Sequence, residues 1–136
     1  MAISRPILVV GAGTTGLTMA CELARHGAPV RIIDKLPSIN PHCRAASLHS
    51  RTLEIFDDLG IVDEILAKGN KVLGTSQYAN GVRFIHSSGG ELDSPYPFTV
   101  TLEQCETEAA LERLLHSYGL EVERRTELIA DRKSVV

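Results

Sequence analysis

Three glycines near the start of the chain have the spacing of a phosphate-binding loop. Gly11, Gly13 and Gly16 form a GxGxxG pattern directly after the apolar run over residues 7–10. In such a pattern the first glycine makes a tight turn, the second lets a diphosphate approach the backbone, and the third lets the next helix pack on the sheet. The N–H groups at the helix start would stabilise the negative charge. The pattern predicts that this loop, with Thr15 among its residues, binds a dinucleotide.

An acidic residue ends the second predicted strand. Asp34 follows the mainly apolar run over residues 30–33. At this place a carboxylate usually accepts hydrogen bonds from the ribose hydroxyls of an adenosine and repels a 2'-phosphate. The neighbouring Lys35 could contact the adenine or a phosphate, and it is explained equally well as a solvated surface lysine. The loop and Asp34 therefore predict a site for the ADP half of a cofactor, and they do not distinguish FAD from NAD.

The elements that must position these residues follow from the apolar pattern. The runs over 7–10 and 30–33 are typical of strands buried on both faces in a parallel sheet, and residues 14–26 have helical spacing that Gly27 ends. A strand, a helix and a second strand with short connections predict a right-handed crossover and a parallel pair. This unit carries the glycine loop at its first turn and Asp34 at the end of its second strand.

Helices and short strands fill the rest of the chain. Asn80 and Gly81 form a good hairpin turn. The predicted fold class is α/β, with one Rossmann-like FAD/NAD(P)-binding domain over 1–136, a parallel sheet, and a small antiparallel excursion over 72–102. Apolar spacing predicts helices over 48–59, 61–68 and 111–118, and strands over 72–78, 82–86, 99–102, 120–123 and 128–130.

Composition narrows the classes of partner. With 136 residues, 43% of them hydrophobic, one compact domain is the default. A net charge of -3 with scattered lysines and arginines argues against nucleic acid or an acidic membrane surface, and the early apolar run is too short for a signal or a membrane span. Cys21, Cys43 and Cys105 include no CxxC pair, and the histidines lack metal-ligand spacing. We expect a cytoplasmic protein that holds no metal and acts on small molecules.

Two further segments resemble a known family. The run RAASLHSRTLEIFDDLG over residues 44–60 resembles the stretch after the second strand in flavin-dependent aromatic hydroxylases of the p-hydroxybenzoate hydroxylase and phenol hydroxylase type. The resemblance resumes with YPFTVTLEQ over 96–104 and continues through Glu108 and Leu111 to Gly119. It covers nearly the whole chain, and it is only general over 72–94.

The resemblance implies a cofactor and roles for individual residues. The cofactor would be FAD, with Gly11, Gly13, Gly16 and Asp34 at its ADP half and the backbone near Leu128 beside the adenine. Arg44 and Gln104 would hold the flavin half. NAD(P)H would be the co-substrate and an aromatic or polyketide-like molecule the substrate of the complete enzyme. No residue of this chain is predicted to be catalytic.

Several of these assignments have alternatives. Arg44 could be a surface arginine, and Gln104 could form a capping box with Thr101, because Thr-x-x-Gln at a helix start satisfies two N–H groups. Arg51 is expected on a helix surface. At the level of function, the alternatives are a fragment of an NAD-dependent dehydrogenase, against which the 44–60 run argues, and a non-catalytic nucleotide-binding module.

The alternative of a non-catalytic nucleotide-binding module gains support because the sequence lacks several later elements of the family. The family's later Asp-Gly and Gly-Asp elements and its substrate-binding sheet would follow after Val136. The domain is therefore expected to be incomplete relative to the family. We expect the isolated chain to be inactive, and to self-associate or to need a complementing chain.

Overall fold

The computed structural model describes residues 5–41, 47–88 and 92–131. Of these, residues 5–41 and 108–131 belong to one compact unit, and residues 47–88 and 92–107 belong to the other. The elements in chain order are β1 (Ile7–Val10), α1 (Thr14–Arg25), β2 (Val30–Asp34), β3 (Ser47–Leu48), α2 (Ser50–Asp58), α3 (Val62–Lys68), β4 (Asn70–Val72), β5 (Gly74–Ala79), β6 (Val82–Ser88), β7 (Thr99–Thr101), α4 (Gln104–Ser117) and β8 (Val122–Arg124).

The first unit contains the predicted strand, helix and second strand. Its sheet has the order β1-β2-β8, and both strand pairs are parallel. On α1 the side chains of Leu17, Ala20 and Cys21 are fully buried. Burial raises the pKa of the Cys21 thiol to about 11, so this group is neutral and packs as a core residue. The prediction of an α/β fold with a parallel sheet is confirmed.

The part of α4 in the first unit is fixed at two places. The Cys21 thiol donates a hydrogen bond to the carbonyl oxygen of Leu111, with 3.5 Å between Sγ and O. The guanidinium of Arg124 on β8 lies 2.9 Å from the carboxylate of Glu112, and both side chains are largely buried. Because these contacts join α4 to α1 and to β8, they set the position of every side chain along this part of the helix.

The second unit is antiparallel. One sheet has the order β3-β7-β4, and a separate hairpin pairs β5 with β6. The core includes Leu53, Phe56, Ile65 and Val100, which are at most 1% exposed. Asn80 and Gly81 have φ angles of 50° and 78°, which confirms the predicted two-residue hairpin turn. The strands of the predicted excursion over 72–102 belong to this larger unit.

Three predictions about the strands were wrong. β1 is not buried on both faces, because it is the outer strand of the described sheet and leaves Ile7, Leu8 and Val10 about half exposed. Residues 128–130 form no strand, since β8 pairs only with β2 among the described residues and offers no further partner. The predicted strand over 72–78 is divided at Leu73, because β4 pairs with β7 whereas β5 pairs with β6.

Two helix boundaries also differ from the prediction. α4 begins at Gln104, well before residue 111, because the polar first turns of this helix lack the apolar stripe on which the prediction depended. Ser47 and Leu48 form the short strand β3 ahead of α2, where the prediction placed the start of a helix. No helix within residues 5–41, 47–88 and 92–131 has the length and apolar character needed to cross a membrane.

Gly16 is predicted to be essential for packing. A Cβ atom at this position would lie 1.9 Å from the carbonyl oxygen of Gly11 and 3.5 Å from Cγ1 of Val9. We expect Gly16→Ala to lower the free energy of unfolding by about 2 kcal/mol or more, as overpacking does. The helix propensity of alanine, worth about 1 kcal/mol, is too small to offset this cost.

Urea unfolding followed by circular dichroism would measure the effect of Gly16→Ala. Gly13→Ala is the matched control, because the nearest atom to a Cβ there is 3.6 Å away. Equal stability of the two variants would contradict the assignment of Gly16 to helix–sheet packing.

Candidate cofactor site

The glycine loop lies between the end of β1 and the start of α1. Gly11 has a φ of +96°, which favours glycine, and its N–H donates to the carbonyl oxygen of Ile33 at 2.8 Å. The first hydrogen bond within α1 joins the Leu17 N–H to the Gly13 carbonyl oxygen. The N–H groups of residues 14–16 therefore have no acceptor inside the helix and lie where phosphates bind at helix N-termini.

The start of α1 has room for an anion. Gly13 is the N-cap of α1 and provides no capping side chain, and the first turn contains no acidic residue. A Cβ on Gly13 would meet only Oε1 of Glu108, at an ordinary contact distance of 3.6 Å. Thr15, in the first turn, is exposed. This arrangement suits a diphosphate, because donors and a positive helix end meet at a place without side-chain obstruction.

Asp34 fixes the loop directly. Its Oδ2 accepts a hydrogen bond from the Ala12 N–H at 2.6 Å, and its Oδ1 accepts one from the Leu36 N–H at 2.7 Å. The carboxylate thus connects the end of β2 to the middle of the glycine loop. Each oxygen keeps a second lone pair that can accept from a ribose hydroxyl. The sequence indicated the ribose role for Asp34 but not its role in holding the loop.

A third segment joins this site from the end of the chain. The Thr126 N–H donates to the carbonyl oxygen of Asp34 at 3.0 Å, and the Arg125 N–H donates to that of Leu36 at 3.3 Å. These bonds place the chain before Leu128 beside the end of β2. Leu128 is 44% exposed, so its surface is available to a ligand. Lys35, between Asp34 and Leu36, is also exposed.

The residues predicted to hold the flavin half belong to the second unit or lie outside the described residues. Gln104 belongs to the second unit, where it is the first residue of α4 and is half-buried. Arg44 lies outside the described residues. Their roles in holding the flavin half stay predictions.

The second unit contains a cavity that the sequence did not indicate. Its volume is about 490 Å³, within the range of small-molecule sites. His49 Nδ1 lies 3.3 Å from Oγ1 of Thr99 in its wall, while Arg51 pairs with Glu54 at 2.9 Å and is a surface residue, as predicted. The lining mixes polar and apolar groups and comprises His49, Ser50, Arg51, Val72, Leu73, Gly74, Thr75, Ser87, Leu92, Phe98 and Thr99.

Comparison with known proteins identifies the family. The model of the FAD binding domain family matches residues 4–135. The chain belongs to this family. This membership confirms FAD as the cofactor, and the alternative of an NAD-dependent dehydrogenase fragment is wrong.

The relatives include flavin-dependent monooxygenases. The 6-methylpretetramide 4-monooxygenase of Streptomyces rimosus is 36% identical over 124 residues, which cover 90% of this chain and 22% of that protein. The pentachlorophenol 4-monooxygenase of Sphingobium chlorophenolicum is 32% identical over 126 residues, covering 91% and 23%. The structure of the flavin-dependent monooxygenase PieE with FAD and substrate has a TM-score of 0.75 and 26% identity, covering 91% and 24%. The chain thus spans about a quarter of each relative.

The residues of the first unit fit the ADP half of FAD. The fit rests on the open space at Gly13, the N–H groups at the start of α1 and the acceptor oxygens of Asp34. The first two features suit the diphosphate and the third suits the ribose. The loop and Asp34 both lie at the carboxyl edge of the parallel strands, where these two groups are expected. The contacts of individual residues with FAD stay predictions, which the following two experiments examine.

Gly13 is predicted to be the position where the diphosphate approaches the backbone. Its φ of -79° is ordinary for any residue and a Cβ has space, so Gly13→Ala should keep the fold. The methyl group would stand in the path of the diphosphate and should weaken FAD binding by about tenfold or more. Gly13→Val should abolish binding. FAD titration with circular dichroism of each variant measures both effects, and unchanged affinity would remove Gly13 from the site.

Asp34 is predicted to discriminate against a 2'-phosphate. A carboxylate beside the ribose makes a second anionic group costly to place, so ADP should compete with FAD about tenfold more strongly than 2',5'-ADP does. Asp34→Asn removes the charge and one acceptor, and it should weaken ADP binding while narrowing this ratio. If both nucleotides compete equally well with FAD in the unmodified chain, Asp34 does not face the ribose.

Proposed function

We propose that the chain is the ADP-binding part of a flavin-dependent monooxygenase that hydroxylates an aromatic or polyketide-like small molecule with NAD(P)H and O2. The observation that carries this proposal is the glycine loop held by Asp34 in a chain of the FAD binding domain family. The names of two relatives, a 6-methylpretetramide 4-monooxygenase and a pentachlorophenol 4-monooxygenase, support the substrate class.

Each residue has a defined task in this proposal. The loop and the start of α1 bind the diphosphate through N–H groups, and Asp34 accepts hydrogen bonds from the ribose. The backbone near Leu128 lies against the adenine, and Lys35 extends toward the adenine or a phosphate. Arg44 and Gln104 hold the flavin half. FAD, when bound, supplies the redox chemistry with O2, and the protein supplies position and exclusion of water.

We also propose that the chain needs a covering partner. Tyr78, Val82, Phe84 and Ile85 on the β5–β6 hairpin are 45–68% exposed, and a two-stranded hairpin alone is marginally stable in water. Self-association or a complementing polypeptide would cover these side chains.

The free, buried thiol of Cys21 is consistent with a cytoplasmic protein.

Oxygen transfer is the test of the monooxygenase proposal. The protein purified from its natural host should be yellow, with a flavin absorption spectrum. An aromatic substrate should stimulate its oxidation of NADH or NADPH. A panel of phenols and polycyclic polyketides with labelled O2 should give a product that carries one labelled oxygen atom, detected by mass spectrometry. A flavin-containing protein that forms no product from any member of the panel would favour the non-catalytic module instead.

The isolated chain of 136 residues should self-associate and should not hydroxylate the panel. Light scattering would measure its mass. Phe84→Lys should reduce self-association, because it places a charge on the exposed face of β6. Arg83→Lys, on the opposite face of the same strand, is the control. A monomeric chain with turnover would contradict the need for a partner.

A further inference from the structure

A buried carboxylate on α4 borders the glycine loop. Glu108 is only 4% exposed, and its Oε1 lies 3.6 Å from the point where a Cβ on Gly13 would stand. The missing Cβ of the second glycine marks the direction from which a diphosphate approaches. The carboxylate of Glu108 therefore forms one wall of the space in which the diphosphate is expected.

The helix holds this carboxylate in place. The contact between Cys21 and Leu111 joins α4 to α1, and the pair of Glu112 and Arg124 joins α4 to β8. Leu111 and Leu115 are fully buried, so this part of the helix is fixed by packing as well. Because Glu108 lies in the same turns of α4, it is held at a defined distance from Gly13 and is not free to turn into solvent.

The position of Glu108 favours support of the loop over obstruction of the ligand. A distance of 3.6 Å to the ideal Cβ is an ordinary van der Waals contact, so the carboxylate borders the space at Gly13 without filling it. The first turn of α1 has no acidic side chain and no side-chain cap of its own. A carboxylate near this positive helix end is stabilising, and Glu108 supplies it from a distant part of the sequence.

We propose that Glu108 is a positioning residue for the diphosphate of FAD. Its carboxylate borders Gly13 from α4, while Asp34 accepts a hydrogen bond from the Ala12 N–H from β2. The two carboxylates keep the loop ordered before the ligand arrives, so binding does not include the cost of ordering it. This inference rests on the assignment of the loop to the ADP half of FAD.

Titrations with FAD, ADP and adenosine test this role. Glu108→Ala should weaken FAD and ADP about tenfold and by the same factor, since both carry the diphosphate. Adenosine lacks the diphosphate, and its affinity should not change. Glu108→Gln keeps the size and one acceptor oxygen, so it should restore part of the affinity. Glu106→Gln is the matched control, because this more exposed carboxylate on α4 pairs with Lys68 and is not among the contacts that hold Glu108, so all three affinities should stay unchanged.

The other outcomes are distinguishable. Unchanged ADP affinity in both Glu108 variants would overturn the proposal, because it would show that the carboxylate has no role in binding. An adenosine affinity weakened by the same factor would also overturn it, because it would indicate general loss of structure. Tighter ADP binding to Glu108→Gln would also overturn it, by showing that the carboxylate opposes the diphosphate. Failure of the unmodified chain to bind ADP would overturn the site assignment itself, and the role of Glu108 with it.

Discussion

The hydrogen bonds of the Asp34 carboxylate are the constraint on which the cofactor site depends. By accepting from the N–H groups of Ala12 and Leu36, this one side chain fixes the glycine loop and the turn after β2 at the same time. The segment after β8 joins them through the Asp34 carbonyl oxygen. Three stretches that are distant in sequence therefore meet at one edge of a parallel sheet, where cofactors bind in α/β folds. Without this carboxylate the Ala12 N–H would lose its acceptor, while the hydrogen bond from the Gly11 N–H to the Ile33 carbonyl oxygen would remain.

The glycines of the loop are required for different physical reasons. Gly11 needs a positive φ, and Gly16 needs the absence of a Cβ because the Gly11 carbonyl oxygen occupies that space. Gly13 has neither restriction from the protein itself. Its predicted requirement comes from the ligand, and for this reason a substitution at Gly16 is expected to affect folding whereas one at Gly13 is expected to affect binding. This separation makes the site accessible to experiments that distinguish loss of structure from loss of function.

Family membership and the structure answer different parts of the question of function. Membership of the FAD binding domain family establishes the cofactor, while the first unit contains donors and acceptors that fit its ADP half. The second unit has a cavity of about 490 Å³ and a hairpin with exposed apolar side chains, and covering these side chains with further polypeptide is part of the proposal. Since the chain spans about a quarter of its monooxygenase relatives, the hydroxylation reaction belongs to the proposal for the complete protein.

The sequence alone determined the local elements of the site. The GxGxxG spacing, the helix over α1, the strand before Asp34 and the Asn80–Gly81 turn were all predicted, because these signals depend on residues a few positions apart. Tertiary structure decided what depends on distant partners. The exposed β1, the missing strand at 128–130, the split at Leu73, the cavity beside His49 and the place of Glu108 against Gly13 follow from which strands and helices meet. Periodicity identifies the buried face of an element, but it does not identify the element that covers it.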